Sequence, residues 1–340
     1  MLPLQLDYEP MEATLTEQVP RDQGWQYEPK WDGFRCIAFR ENDLLDLQSK
    51  SGRTLGRYFP EVKEALLALD AHKFVIDGEI VIPSAHGFSF DDLLQRIHPA
   101  ESRIKKLARE FPAVLILFDM LVDTDGVKLT EEPLAVRRAH LERFAEKFLK
   151  HTQSIILSPA TTDATVTDVW LETMGNRLDG IVAKRLDLPY QSGNRKGMLK
   201  IKKMRTVDVV IGGFRYASGN RKALGSMLLG LYDDKGLLNH VGFSSSFNAK
   251  EKVQLLEKLE PLIAEPGFTG NAPGGPSRWA SERSTEWEPL QTVLVAEIKY
   301  DHFTNGRFRH GTSFLRWRPE KAPQKCTYDQ LPAFQKTAAR

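Results

Sequence analysis

The chain has 340 residues, with 47 Lys and Arg against 45 Asp and Glu, and is 41% hydrophobic. That length predicts two domains, and the composition is that of an ordinary soluble globular protein rather than a disordered or fibrous one. A net charge of +2 excludes an overall polyanion-binding field, so any nucleic-acid surface has to be a local patch. The two cysteines, Cys36 and Cys326, are far apart and form no C-x-x-C, which argues against a zinc site or a disulfide framework and fits a reducing compartment. Met1 to Tyr8 has neither a basic n-region nor an apolar h-region, and no apolar run is long enough to span a membrane.

Residues 1–25 read as an extended lead-in. Glu28-Pro29-Lys30-Trp31-Asp32-Gly33-Phe34-Arg35 then sets a lysine between two acids, with a glycine and an arginine beyond it. A lysine amine attacks phosphorus only when unprotonated, and its free pKa is about 10.4, so a nucleophilic role requires that value to fall. Trp31 and Phe34 are expected to exclude water and Arg35 to add a fixed positive charge, both of which act in that direction; Asp32 acts against it. Read alone, the stretch fits equally a surface loop with a Lys–Asp pair before a strand.

That strand is Phe34 to Phe39, with Asp43 to Ser49 as its hairpin partner. A basic, glycine-punctuated loop follows from Ser49 to Arg57. Phe59-Pro60-Glu61 opens a helix through Asp70, and Phe74 to Ile82 is an apolar strand interrupted by Asp77-Gly78-Glu79. Charge inside a buried strand is costly without a partner, so the interruption needs a reason. One helix is expected from Phe90 to Glu110, and Val114 to Phe118 is a buried strand ending at Asp119. Leu141, Phe144, Ala145 and Phe148 mark an amphipathic helix starting near Pro133. A further helix fits Asp163 to Arg177, then strands at Leu178–Lys184 and Met198–Lys202; the latter alternates so that Lys200 and Lys202 share a face.

The chain changes character near Arg205–Val207. Short strands with glycine turns follow at Val209–Arg215, Met227–Tyr232 and Leu237–Ser244, then a helix from Lys250 to Ile263, a Pro/Gly loop, and strands at Val293–Tyr300 and Ser313–Arg318. This predicts a small barrel of the oligonucleotide-binding type or, failing that, an antiparallel sandwich.

The motifs, in order, resemble those of the ATP-dependent DNA ligases, members of the covalent nucleotidyltransferase superfamily. Lys30-x-Asp-Gly-x-Arg35 resembles motif I, Ser51-Gly52-Arg53 with Phe59-Pro60-Glu61 motif Ia, Asp77-Gly78-Glu79 motif III, and Phe118-Asp119 motif IIIa. Asp179-Gly180-Ile181-Val182-Ala183-Lys184 is similar to motif IV, Leu199-Lys200-Ile201-Lys202 to motif V and Arg318-Pro319-Glu320-Lys321 to motif VI. Each is weak alone; the ordered series covers nearly the whole chain and is specific. Asp179 stands where the family has Glu, Met198 where an aromatic is common, and Glu320 where Asp is usual.

The resemblance implies an α+β protein: an antiparallel two-sheet, ATP-grasp-like nucleotidyltransferase domain over residues 1–205 and a C-terminal OB-fold β-barrel over 206–340. It implies ATP and Mg²⁺ or Mn²⁺ as cofactors, nicked double-stranded DNA as partner, and nick sealing through lysyl-AMP on Lys30. Glu28 or nearby backbone would read adenine, Phe118 stack on it, and Glu79 and Arg35 contact the nucleoside. Arg53, Lys200 and Lys202 would bind phosphate, and Asp179 with Glu79 would hold the metal; Lys184 and Asp32 are weaker candidates. Arg318 and Lys321 would orient the pyrophosphate as the barrel closes about a hinge at Thr206–Asp208. Arg215, Arg221, Lys222, Arg307, Arg309 and His310 could line a DNA-phosphate surface. Only about 29 residues precede Lys30, so no large DNA-encircling domain is expected ahead of it and the small bacterial repair ligases are the nearer likeness. A monomer in the bacterial cytoplasm, at the nucleoid, is expected. The rival readings are an mRNA-capping guanylyltransferase, an RNA ligase and an inactive nucleic-acid-binding module.

Overall fold

A computed structural model of the chain describes all residues except 85–86, 174–177, 203, 275–285, 310, 332–333 and 335–340. The chain divides into two compact units, Met1–Lys203 and Met204–Arg340.

The first unit is built on two sheets. One has the order Thr14–Thr16, Met198–Lys202, Gly180–Arg185, Trp25–Lys30; the other runs Leu44–Ser49, Phe34–Glu41, Lys73–Val81, Val114–Val122, Ile155–Leu157. Most neighbours are antiparallel, as expected. Two edge pairings are parallel instead: Thr14–Thr16 on Met198–Lys202, and Ile155–Leu157 on Val114–Val122. Parallel neighbours need long connections, and here the amphipathic helix Leu134–Phe148 supplies the second one. The five-stranded sheet is buried on both sides. Cys36, Ala38, Phe74 and Ile76 pack into one core with Phe59, Leu66 and Phe144. Ile37, Phe39, Val75 and Leu121 pack on the other side against Leu4 and Met11 of the lead-in. Burial on two faces explains why the apolar runs of the central strands do not alternate, whereas the edge strand Leu44–Ser49 does.

The helix expected from Phe90 to Glu110 is two helices, Phe90–Gln95 and Glu101–Glu110. Pro99 between them has no N–H and disfavours helical geometry in the residue before it, so one continuous helix cannot pass. The next helix covers Ala164–Thr173, and the residues expected to extend it to Arg177 lie outside the described ones.

The second unit holds a sheet of order Leu238–Ser244, Asn220–Tyr232, Arg205–Ala217, Val295–Tyr300, Ser313–Trp317, with the short strand Glu288–Pro289 added on Arg205–Ala217. Successive neighbours are antiparallel. The two ends of this path meet at a single parallel bridge, Ser244 to Thr312, where the Ser244 hydroxyl donates to the Thr312 carbonyl at 3.0 Å. That is the partly open form of the five-stranded oligonucleotide-binding barrel rather than a closed one. The helix Ala249–Leu259 starts from a capping box of Asn248 and Glu251 and packs Leu255, Leu256 and Leu259 into the core. The hinge is expected at Thr206–Asp208, just past the boundary between the two units at Lys203–Met204. Thr206, Val207 and Asp208 are inside the strand Arg205–Ala217, in register with Lys299, Ile298 and Glu297. Among the described residues no helix is long and apolar enough to cross a membrane.

Candidate active site

The site grows from the register of the four-stranded sheet. Lys30 lies opposite Gly180, which lies opposite Lys202; Glu28 lies opposite Val182, which lies opposite Lys200. Period-two alternation therefore sets Glu28, Lys30, Lys184, Lys200 and Lys202 on one face. The other face, with Tyr27, Ile181, Ala183 and Ile201, is buried under Ala164, Trp170 and Leu171. Two glycines make this possible. A Cβ on Gly180, whose φ is +138°, would sit 1.9 Å from the Ile201 carbonyl oxygen. A Cβ on Gly33 would sit 2.1 Å from the carbonyl oxygen of Ile80, so only glycine lets the chain pass from Lys30 onto the second sheet.

Above the charged face lies a pocket of about 750 Å³, its open mouth included, walled by Pro10–Ala13, Glu28–Trp31, Arg35, Lys50, Glu79, Phe118, Val182, Lys184, Met198 and Lys200. Lys30 is hydrogen-bonded through Nζ to Asp179 Oδ2. Burial draws the Lys30 amine down, but Asp179, then Glu79 and Asp32, outweigh it, and the net shift is upward. This corrects the sequence expectation. Phe34 points into the core edge-on to Phe59 and Phe90, Arg35 is neutralised by Asp77, and carboxylates dominate what remains around Lys30. Burial pushes the Glu79 carboxyl up to about 7 against the opposing pull of Lys30 and Arg35, although its side chain keeps some solvent contact through the pocket. Glu79 accepts the Gly33 N–H at 3.1 Å. Lys200 is held below the usual lysine range by burial, then by Lys30 and Lys202.

The acidic interruption of the buried strand has its reason. Asp77, fully buried, takes Arg35 through Nε and Nη2, both at 2.5 Å. Arg35 thereby lies 4.5 Å from the centre of the Phe118 ring, and Lys184 Nζ lies at the same distance from that ring. Lys184 is in turn paired with buried Glu28 at 2.9 Å, and Gln26 donates to Glu28 at 2.7 Å. Asp119, beside Phe118, is clamped by Arg137 at 2.8 and 2.9 Å.

The remaining expected residues fall elsewhere. Arg53 does not line the nucleotide-sized pocket. It is exposed in an adjoining cavity with Gly33, Phe34, Ser51, Arg57, Tyr58 and Ile97. The two cavities share Arg35, Lys50 and Glu79. Lys50 is thus the pocket cation of that loop, and it was missed; the signal was its place at the end of the strand Leu44–Ser49, in the basic stretch read only for its Ser-Gly-Arg. Met11 and the wall around it were also missed, because an irregular lead-in carries no periodicity. Arg318 and Lys321 belong to the second unit, where Asp208 binds them at 2.9 and 2.8 Å. Arg221 is paired with Glu288 at 3.0 Å, and Arg307 donates to His240 Nδ1 at 2.9 Å. His310 lies outside the described residues.

Asp179 and Glu79 are hard oxygen donors on either side of Lys30. Among the described residues no three His, Cys, Asp or Glu side chains gather as a metal cage. Two carboxylates suit Mg²⁺, which is commonly held by one or two of them together with substrate phosphates.

A sheet-borne lysine hydrogen-bonded to Asp179 on the floor of a pocket, with two lysines across the same face, has the residue types that nucleotidyl transfer through lysine requires, and an oligonucleotide-binding fold follows it in the chain. Comparison with known proteins narrows the class. Residues 9–202 match the family model "ATP dependent DNA ligase domain" and residues 220–321 match "ATP dependent DNA ligase C terminal region". The chain belongs to the ATP-dependent DNA ligase family. It is 44% identical to DNA ligase C1 of Mycolicibacterium smegmatis, over 97% of this chain and 95% of that protein. Identity to DNA ligase C of Mycobacterium tuberculosis is 40%, over the same shares. Among solved structures, a mycobacterial DNA ligase D complexed with ATP and MES superposes with a TM-score of 0.50 at 26% identity, over 95% of this chain and 98% of that one. A Lig E DNA ligase superposes at 0.58 with 16% identity, over 91% and 99%, a likeness of fold alone.

Proposed function

We propose that this enzyme joins 5′-phosphate to 3′-hydroxyl at nicks in duplex DNA, as a monomeric repair ligase acting on chromosomal DNA in the cytoplasm. The observation that carries the residue assignment is Lys30 on the pocket floor, held by Asp179 with Glu79 beside it and Lys200 on the same sheet face.

The ammonium proton held toward Asp179 leaves first. Lys30 Nζ then bonds to the α-phosphorus of ATP, the bond from that phosphorus to the bridging oxygen breaks, and pyrophosphate departs with the electron pair. The 5′-phosphate of the nick next attacks the lysyl-AMP phosphorus and returns the amine to Lys30. The 3′-hydroxyl finally attacks the activated 5′-phosphorus, and AMP leaves. All three are transfers at phosphorus, where positioning and charge neutralisation dominate.

The base enters between Phe118 and the Met198 side of the pocket, with the Glu28–Lys184 pair at its edge. Glu79 accepts from the ribose. Lys200 and Lys202 neutralise the α-phosphate. Asp179 and Glu79 would hold Mg²⁺ or Mn²⁺, which when bound would neutralise phosphate charge. Arg35 contributes by flanking Phe118, since two of its donors are committed to Asp77. Lys50, on the wall shared by the two cavities, meets the nick phosphate, and Arg53 the strand beyond it.

The test is covalent labelling. Protein stripped of AMP is incubated with Mg²⁺ and α-labelled ATP or GTP, with Lys30→Ala alongside, and run on a denaturing gel. Label from ATP, lost in the variant and discharged by nicked DNA, is expected. Label from GTP alone, or discharge by RNA ends only, would replace this reading with capping or RNA ligation.

A further inference from the structure

One wall of the nucleotide pocket, Pro10 to Ala13, belongs to no strand of either sheet; the first strand begins at Thr14. It is held by the loop that joins Gly180–Arg185 to Met198–Lys202. Glu12 N–H donates to the Asn194 carbonyl at 2.8 Å, and the Ser192 hydroxyl donates to the Glu9 carbonyl at 2.8 Å. At the centre of this seam Met11 N–H donates to the Tyr190 hydroxyl at 2.9 Å.

The same hydroxyl lies 2.5 Å from Asp77 Oδ2. Proton roles are fixed by chemistry. A backbone N–H can only donate, so the hydroxyl accepts from Met11 and gives its own proton to Asp77. Asp77 is the carboxylate that aligns Arg35 beside Phe118. Tyr190 is 6% exposed, its ring 5.5 Å from the Arg137 guanidinium, and it does not itself line the pocket. Its two partners, Met11 and Asp77, are each one step from the pocket's contents: Met11 is a wall, and Asp77 aims a wall.

We infer that Tyr190 is a positioning residue for nucleotide capture: its hydroxyl latches the Met11 wall to the Asp77–Arg35 pair, so that the wall and the cation flanking Phe118 are set by one group. The inference rests on the ligase reading of the pocket. Phenylalanine keeps the ring in the core and breaks both bonds at once, leaving a buried N–H without its acceptor and Asp77 without one of its donors.

The experiment uses the full chain, stripped of AMP, and Tyr190→Phe. Single-turnover lysyl-AMP formation is followed with α-labelled ATP over a range of concentrations. The half-saturating ATP concentration is expected to rise about tenfold, with the rate constant at saturation within about twofold of wild type. An unchanged half-saturation, or a fall in rate or labelled fraction without one, overturns the inference, because a merely structural role lowers the active fraction and not the affinity. Amide exchange read by mass spectrometry is the second measurement. Peptides covering Met11 are expected to lose protection in the variant while peptides from Gly180–Arg185 keep theirs; equal protection in both proteins overturns the latch. Should wild type form no lysyl-AMP, the ligase reading fails, and the exchange comparison still decides the latch.

Discussion

Replacing Gly180 by alanine tests whether the sheet register builds the site. The new Cβ would lie 1.9 Å from Ile201 O and 2.9 Å from both Ile201 C and Lys202 Cα, at a φ of +138°. All three are backbone atoms, so no side chain can swing aside. The strained dihedral costs about 1–3 kcal/mol, and forcing the neighbouring strand away costs about 1–3 kcal/mol more. For a unit of this size about 2–6 kcal/mol corresponds to a fall in melting temperature of roughly 4–24 °C. The displaced strand carries Lys200 and Lys202, and Gly180 itself is the cross-strand neighbour of Lys30. Lysyl-AMP formation should therefore drop at least tenfold at temperatures where the variant is still folded. The control is Gly56→Ala, where the nearest atoms to a new Cβ are 3.9 Å away. It should melt within a degree or two of wild type. Thermal melts and labelled-ATP single turnovers read both effects, and a Gly180→Ala protein that melts and labels like the control refutes the argument.

The Asp119–Arg137 pair gives a pH dependence. Burial alone would raise the Asp119 carboxyl, but Arg137 outweighs it and holds the group below its usual value. Its stabilisation is complete above the unfolded aspartate pKa of about 3.9 and drains away as pH falls through the lower native one. Arg137→Met should cost about 3–5 kcal/mol near neutrality, with the difference in urea midpoint shrinking as pH falls from above the usual aspartate value, because Asp119 without Arg137 takes up its proton more readily, and continuing to shrink through the lower wild-type value; a gap that is constant with pH would contradict this. Lys50→Ala should slow transfer of AMP to nicked DNA by tenfold or more, whereas Arg53→Ala should mainly weaken DNA binding and flatten its salt dependence; equal effects would remove the distinction between the two cavities. Chelation by EDTA should abolish lysyl-AMP formation, with Mg²⁺ or Mn²⁺ restoring it, and leave the melting temperature unchanged, since a cation held by one or two carboxylates and substrate phosphates adds little to the unliganded fold. A large fall in melting temperature on chelation would point to a structural metal.

The sequence was most legible where pattern and chemistry coincide. Lys200 and Lys202 were put on one face by alternation alone, and the register bears that out. The amphipathic helix that the spacing starts near Pro133 begins at Leu134. Legibility failed where a residue's state depends on distant neighbours. Nothing near Lys30 in sequence announces Asp179, so its amine was expected to be depressed and is raised. Arg35 lines the pocket, but the sequence gives no sign that its fork closes on Asp77, which strand pairing sets opposite Ile37, diagonally across from it. The lead-in was unreadable for the same reason: Leu4 and Met11 are core residues because Ile37, Phe39, Val75 and Leu121 of the five-stranded sheet, with Tyr190 and Met198, meet them there.

The partition of Arg35, Lys50 and Glu79 between the two cavities of the first unit has a pharmacological consequence. One compound with an aromatic head beside Phe118 and an anionic tail running past Lys50 toward Arg53 would occupy both chambers through a single doorway. Its two halves would be held by different chemistry, stacking at one end and ion pairing at the other. Resistance by substitution at the doorway would then fall on Lys50 or Glu79, to which the proposed reaction assigns the nick phosphate and the ribose, so that on that proposal escape from the inhibitor and loss of sealing would be coupled.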